Sequence, residues 1–410
     1  MTGTPDQGIC QVVFTVNGPG EIAGWLQPLA QALRAAHPQI RIVVMMLPCV
    51  YSTGAEARVA AGLGTVDLAV PVGQALRFVL TGRLPAGMAP AARSLVFHLG
   101  GEVALTLLVA ARLRASLYAY AEQPLPYGFA FRRVFYNGLN RLPKRLKVDP
   151  ARLVGELMVD AAALKRAAFG GARPDRQVVG LFPGSRTYMA EFLLPYYAVT
   201  VDAVAARLPQ VRWVMAQAPF VDEAALRRLT PPEGHHWPAL PLTWHETAEG
   251  RWLQTPAGNR IEVRPGPEVL ATADVALTIP GTNTGELGAG GTPMVVVLPT
   301  YRGDEVPLPG LAGHVRGLPL IGRALKLYFA RKVLRGLPML AQPNRRAGRR
   351  IVLELVGTDL HPAIAAELER LLTGDTTALR AEIRAAMGRG GAAERLAAEI
   401  GGFFTAQPQD

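Results

Sequence analysis

The 410-residue chain reads as an α/β protein of two doubly wound domains facing each other across a cleft. Three observations predict this. An apolar, β-branched run ending in a glycine turn and passing into a helical stretch opens the chain, as in the first unit of a doubly wound sheet. The same unit begins again after a Gly-, Pro- and charge-rich linker, Phe169 to Gln177. The length fits two domains of roughly 100 to 200 residues, and 50% of the residues are hydrophobic, enough for two cores.

In the first domain Gln11 to Val16 is the opening strand, Asn17-Gly18-Pro19-Gly20 the turn and Glu21 to Ala36 the helix. Ile42 to Leu47 is the next parallel strand. Further strand-helix pairs fall at Asp67 to Val70 and at Leu95 to Leu99 with Val103 to Leu113, and Ser116 to Tyr120 is another strand. In the second domain Val178 to Phe182 is a strand, Pro183-Gly184-Ser185-Arg186 a turn and Met189 to Leu208 a helix. Val211 to Ala216, Ile261 to Arg264, Val275 to Ile279 and Met294 to Leu298 supply the remaining strands, with a Trp- and His-containing hairpin insertion between Glu233 and Arg260. From His361 to Ile400 the pattern is helical, weakened at Gly388 to Gly391.

Charge narrows the partners. Residues 123–148 hold six basic and no acidic side chains, and residues 306–353 hold ten basic and none acidic; the rest of the chain has 27 basic against 32 acidic. The net +11 therefore resides in two segments, which call for an anionic partner. Both segments interleave the charge with bulky apolar residues, such as Tyr127, Phe129, Phe135, Leu325, Tyr328 and Phe329, a pattern of interfacial membrane elements rather than nucleic-acid binders. A buried helix with a solvated basic face is the competing explanation. The longest stretch free of charge, the 15 residues Leu287 to Tyr301, is shorter than the ~20 apolar residues of a spanning helix and contains Pro293 and Pro299. Two cysteines, Cys10 and Cys49, exclude a disulfide framework and fit a reducing compartment. The polar, acidic N-terminus reads as no secretory signal.

Four short motifs carry chemistry. In Pro183-Gly184-Ser185-Arg186 the glycine admits a ligand close to the backbone, Ser185 offers a hydroxyl and Arg186 a bidentate grip on phosphate. A plain strand-to-helix turn is the alternative. In Gly281-Thr282-Asn283-Thr284-Gly285-Glu286 the helix N-terminus and the two threonines suit a diphosphate, with Glu286 one turn on to accept from ribose hydroxyls; a capped helix is the alternative. Glu21 and Glu102 each lie beside the start of a helix, where a carboxylate serves either the helix dipole or general-base chemistry. His235, His236 and His245 lack metal-ligand spacing, and no Walker-A, G-x-G-x-x-G or G-x-S-x-G motif occurs.

Together the residues Phe182 to Arg186, Ala273 to Thr278 with Gly281 to Glu286, and Thr292 to Val296 resemble the lipid-A-disaccharide synthase family. Gly20-Glu21, Val154-Gly155, Val159-Asp160-Ala161, Gln342-Pro343-Asn344 and Ala347-Gly348-Arg349 agree with it in order and spacing. The resemblance implies a GT-B fold: an N-terminal Rossmann-like acceptor and membrane domain over 1–170, a nucleotide-sugar domain over 177–345, and helices over 346–410 packing back on the first domain. It further implies inverting transfer of a sugar from a UDP-sugar donor to a lipid-linked acceptor, without metal or cofactor. The protein would be cytoplasmic and peripheral on the inner face of the plasma membrane, held by segments 123–148 and 306–353, with a homodimer left open and nucleic acid excluded. Ser185 and Arg186, with the Gly184 turn, would contact the diphosphate; Gly281, Thr282, Thr284 and Glu286 the phosphates and ribose; Asn344 the donor; and Glu21, or failing it Glu102, would be the base. The family's D-x-P-x-F motif is absent where Phe97 to Thr106 reads FHLGGEVALT, so donor-side features are better kept than acceptor-side ones. That directs the reading to a related enzyme with a different acceptor. A non-catalytic nucleotide-binding scaffold and a UDP-sugar epimerase of the same architecture remain the alternatives.

Overall fold

Strands covered on both faces read as unbroken apolar runs, because neither face meets water. In the computed structural model, which describes residues 9–48, 54–138, 148–169, 176–219, 221–231, 234–301 and 339–406, these runs form two sheets. The first contains β1 (Cys10–Val16), β2 (Arg41–Met46), β3 (Leu68–Val70), β4 (Arg93–His98), β5 (Ser116–Ala121) and β6 (Arg133–Tyr136). All are parallel, in the order β3-β2-β1-β4-β5-β6. Their helices are α1 (Pro19–Glu21), α2 (Gln27–Ala36), α3 (Glu56–Ala61), α4 (Val72–Thr81), α5 (Val103–Leu113) and α6 (Leu157–Phe169). One face of the sheet is filled by aromatic rings, with Phe97 packed on Phe14 (5.7 Å) and Phe135 (6.4 Å).

A wide turn, Ile22–Leu26, joins α1 to α2, and the Gln27 N–H reaches back to the carbonyl of Ile22. Pro28 explains it. A proline ring clashes with the carbonyl four residues earlier, and a π-type turn relieves the clash. The turn sets Trp25 edge-on to Tyr120 at 5.8 Å.

The second sheet contains β7 (Val178–Phe182), β8 (Arg212–Gln217), β9 (Thr243–Thr247), β10 (Gly250–Gln254), β11 (Arg260–Pro265), β12 (Val275–Thr278), β13 (Met294–Pro299) and β14 (Leu353–Gly357). The order is β14-β13-β12-β7-β8-β11-β10-β9. The expected hairpin is β9–β10, antiparallel, which lengthens an otherwise parallel sheet at one edge. Helices α7 (Thr187–Ala205), α8 (Glu223–Leu226), α9 (Gly266–Thr272), α10 (Thr282–Ala289), α11 (Gln342–Ala347), α12 (His361–Thr373) and α13 (Thr377–Met387) accompany it.

The chain divides into one unit of Met1–Leu164 with Gly388–Asp410 and another of Lys165–Met387. This corrects the expected return at residue 346. β14 adds to the second sheet, and α12 and α13 pack in that unit's cores, so only α14 (Ala392–Thr405) and its approach belong to the first. Asp160 fastens α14: its Oδ1 accepts from Gly391 N (2.6 Å) and its Oδ2 from Ala393 N (2.8 Å), capping a helix that has no side-chain cap of its own. A Cβ on Gly155 would lie 2.7 Å from the Arg389 carbonyl. The Val154-Gly155 and Val159-Asp160-Ala161 motifs thus form the seat of the last helix.

The basic segments are partly reassigned. Phe131, Val134, Phe135 and Tyr136 are core residues around β6, whereas Tyr127 and Phe129 are 53% and 91% exposed beside exposed Arg132. Most of the remaining basic and apolar residues of the two segments, at 139–147 and 302–338, lie outside the described residues. No described helix is long and apolar enough to cross a membrane.

Candidate functional site

Ligands of open α/β sheets bind beyond the carboxyl ends of strands where the winding direction reverses. In the first unit the reversal falls between β1 and β4, and in the second between β7 and β12. All four sequence motifs leave those strands: Asn17–Glu21 after β1, His98–Glu102 after β4, Pro183–Arg186 after β7 and Ile279–Glu286 after β12.

In the second unit the two turns touch. Gly184 has φ +102°, and a Cβ there would lie 3.0 Å from Ile279 Cδ1 and 3.1 Å from Met189 Sδ. Glycine is required for backbone conformation and for space alike. Ser185 and Arg186 are half-buried on the rim, and Arg186 is the N-cap of the 19-residue α7, which no side chain caps. Gly281, with φ +146° and open space where a Cβ would sit, is the N-cap of α10, which likewise has no side-chain cap. Gly281 and Thr282 are exposed. Two unspent helix N-termini and one guanidinium therefore stand at this switch point, a setting that favours an anion.

Of the residues expected in the cradle, Thr284 and Asn344 are committed elsewhere and Glu286 is half-committed. Thr284 is fully buried; its hydroxyl donates to Gly281 O (2.8 Å) and accepts from Gln342 N (3.0 Å), so it braces the turn instead of offering a donor to a ligand. Asn344 is fully buried too: Nδ2 donates to Val352 O (2.9 Å) and Glu354 Oε1 (2.8 Å), while Oδ1 accepts from Ile351 N (2.6 Å) and Val352 N (2.9 Å). Its hydrogen-bonding capacity is exhausted in holding the entry to β14, which corrects its assignment to the donor. Glu286 is 8% exposed and ion-paired with Lys165 of α6, itself 6% exposed. Removing one partner of such a buried pair costs about 3–5 kcal/mol.

In the first unit Glu21 Oε2 accepts from Asn17 N (3.0 Å) and Gly18 N (2.8 Å), serving the start of its own helix. Among the described residues Oε1 takes no hydrogen bond, and it is not one of the sealed, unpartnered atoms. Burial pushes the carboxyl above the usual carboxylate range, against the two backbone N–H groups that pull it down. The carboxylate lies over Gly100, where a Cβ would come within 2.6 Å of Cδ and 2.7 Å of Oε1. Glycine at position 100 thus makes room for the Glu21 carboxylate. Glu102 is exposed at the N-cap of α5, and its carboxylate caps nothing.

Beneath this site lies a polar cluster that sequence reasoning missed. His98 Nδ1 is 2.9 Å from Thr106 Oγ1 and 3.3 Å from Thr15 Oγ1, and the two hydroxyls are 3.0 Å apart. Burial lowers the imidazole to about 4, so it is neutral at pH 7. Lys165 was missed as well, although a lone cation ahead of Arg166 in the apolar helix LMVDAAALKRAAF was a legible signal. Among the described residues no group of three or more His, Cys, Asp or Glu could hold a metal ion.

No protein-family model matches the chain. Over 241 residues it is 32% identical to the lipid-A-disaccharide synthase of Anaeromyxobacter dehalogenans, covering 57% of this chain and 51% of that protein. It is 28% identical over 284 residues to the lipid-A-disaccharide synthase of Syntrophotalea carbinolica, covering 66% and 58%. The chain thus spans about half the length of the curated relatives it matches. Among solved structures, a provisionally named UDP-N-acetylglucosamine 2-epimerase of Listeria monocytogenes aligns with TM-score 0.51 at 13% identity, covering 98% of both chains. S. aureus MnaA, solved with UDP, aligns with TM-score 0.50 at 12% identity, covering 98% of this chain and 100% of that one. The fold is therefore of the GT-B type, and over about half of its length the chain is similar in sequence to lipid-A-disaccharide synthases.

Proposed function

We propose that this protein transfers a sugar from a UDP-sugar to a lipid-borne acceptor at a membrane surface, inverting the anomeric carbon and using no metal or cofactor. The observation that carries the reading is the pair of adjoining turns after β7 and β12, each opening a helix whose first N–H groups have no side-chain cap. Arg186 and these helix ends would meet the diphosphate and stabilise the charge that grows on it as it leaves. Glu21, with a raised carboxyl and an open Oε1, would take the proton of the acceptor hydroxyl. The acceptor oxygen then bonds to the anomeric carbon as the bond to the departing UDP breaks, and a single displacement inverts the centre. No metal is needed to balance the leaving group where helix ends and a guanidinium supply the positive charge.

Sequence similarity to lipid-A-disaccharide synthases supports glycosyl transfer and a lipid-borne acceptor. The absence of the family's D-x-P-x-F motif between Phe97 and Thr106 supports an acceptor other than the family's. Exposed Phe129 and Tyr127 beside Arg132 support attachment to an anionic membrane, on the inner face of the plasma membrane, where apolar rings gain by leaving water.

The test is incubation with a panel of UDP-sugars and a total lipid extract, followed by mass spectrometry. A new glycolipid with lipid-dependent UDP release is the expected result. Turnover of UDP-sugar without lipid would replace the reading with an epimerase or hydrolase, and UDP binding without any turnover would replace it with a nucleotide-binding scaffold.

A further inference from the structure

The end of α6 carries two neighbouring cations, and both reach α10. Lys165 Nζ donates to Glu286 Oε1. Arg166 donates to the Gly290 carbonyl (2.5 Å) at the C-terminal end of α10. A Cβ on Gly290 would lie 2.6 Å from that guanidinium nitrogen, so the glycine is what admits it. The helix whose first residues form the candidate diphosphate turn is therefore held at its middle and at its far end by a single dipeptide. Its near end, Gly281 and Thr282, stays exposed.

The state of the two Glu286 oxygens is informative. Oε1 is committed to Lys165. Oε2 accepts no hydrogen bond among the described residues, yet it is not one of the buried atoms left without a partner, so it is open to solvent. A ligand could meet Glu286 in two ways, by displacing Lys165 or by using the open oxygen. Displacement would leave an ammonium buried without a counter-charge, which costs more than a hydroxyl hydrogen bond returns. The open oxygen needs no rearrangement, and the pair already holds it in one rotamer.

We propose that Lys165 is a positioning residue, which orients the Glu286 carboxylate so that Oε2 accepts from a ribose hydroxyl of the nucleotide while Oε1 stays on the ammonium. The proposal rests on the reading of these turns as a nucleotide cradle. Arg166 assists by fixing α10 lengthwise, so that the carboxylate and the Gly281 turn keep their spacing.

The experiment is calorimetric titration of the full chain with UDP and with 2′,3′-dideoxyuridine diphosphate. A hydroxyl hydrogen bond to a charged group predicts that the unaltered protein binds UDP roughly 10- to 100-fold more tightly than the dideoxy analogue. In Lys165→Met that ratio falls below about threefold, because the carboxylate is no longer aimed, while Lys165→Arg keeps most of it. A folded Lys165→Met protein with the full ratio would overturn the proposal, since a purely structural lysine would change the melting temperature and not the discrimination. If Lys165→Met does not fold, Lys165→Gln is titrated, and an unchanged ratio there overturns it equally. Tight UDP binding with no preference over the dideoxy analogue overturns this inference and leaves the nucleotide reading standing. Failure to bind either compound removes both.

Discussion

Gly100→Ala tests the first-unit site with one methyl group. The added Cβ would stand 2.6 Å from Glu21 Cδ, 2.7 Å from Oε1 and 2.9 Å from Oε2, against the 3.5 Å or so of ordinary contact, so the carboxylate must retreat by close to 1 Å. Gly100 does not have a left-handed φ, so alanine adds no backbone strain. The obstacle is the end of a flexible side chain, and the cost is limited to the two charge-assisted hydrogen bonds from Asn17 N and Gly18 N, at about 1.5–3 kcal/mol each as an upper bound. Water takes over part of that as the carboxylate swings outward, so a net loss of about 1–2 kcal/mol is expected. Activity is far more sensitive, because a base displaced by 1 Å loses about 100-fold in rate. Thermal melts and initial rates of lipid-dependent UDP release measure the two effects. A third readout needs no substrate: NMR titration of Glu21 should show its carboxyl moving down toward the ordinary range, since the burial that raises it is relieved. An alanine variant with unchanged rate and an unchanged Glu21 titration would refute the placement of this carboxylate.

Asn344→Ala should destabilise the second unit by about 3 kcal/mol or more, because it strands the buried polar groups of Val352 and Glu354, while UDP affinity of the folded protein changes less than about twofold; loss of UDP binding with normal stability would restore it to the donor site. Buried His98 titrates at about 4 in place of 6.5, so the unfolded chain takes up its proton first, and its contribution is complete above pH 6.5 and lost as pH falls toward 4. Its share is about 3 kcal/mol, and chemical denaturation between pH 7 and pH 4 should show a flatter decline in His98→Gln, although His361, lowered in the same way, keeps part of the slope. Phe129→Ser should reduce flotation with anionic liposomes by about 10-fold, from the apolar area no longer withdrawn from water; undiminished binding would place the membrane contact elsewhere.

Much of the fold was legible because parallel strands bury both faces. The runs at Gln11, Ile42, Leu95, Val178 and Met294 have no reason to be so apolar except as interior strands, and the glycine turns after β1, β7 and β12 mark where the backbone must reverse or come close to something. Two strands escaped this logic. β14 is a five-residue edge strand that buries Glu354 and exposes Val356, against the usual pattern, and β6 is four residues long and begins on an exposed arginine, so its apolar members join the exposed rings of Tyr127 and Phe129 in the sequence as one membrane-facing element.

The sequence by itself determined the two-domain α/β architecture, the turns where a ligand would sit and the residue types available there, because these follow from local periodicity and from glycine's backbone freedom. Only the tertiary structure decided which of those residues remain available. Thr284 and Asn344 carry the right chemistry in the right motifs, yet Gln342, 58 residues on, donates to the Thr284 hydroxyl, and the turn into β14, seven to ten residues on, absorbs the hydrogen bonds of Asn344. Glu286 keeps one oxygen open because Lys165, 121 residues earlier, takes the other. Glu21 acquires its raised carboxyl because a glycine 79 residues later leaves a hollow above the sheet. Hydrogen bonding and burial are properties of neighbours in space, and chain order does not record them.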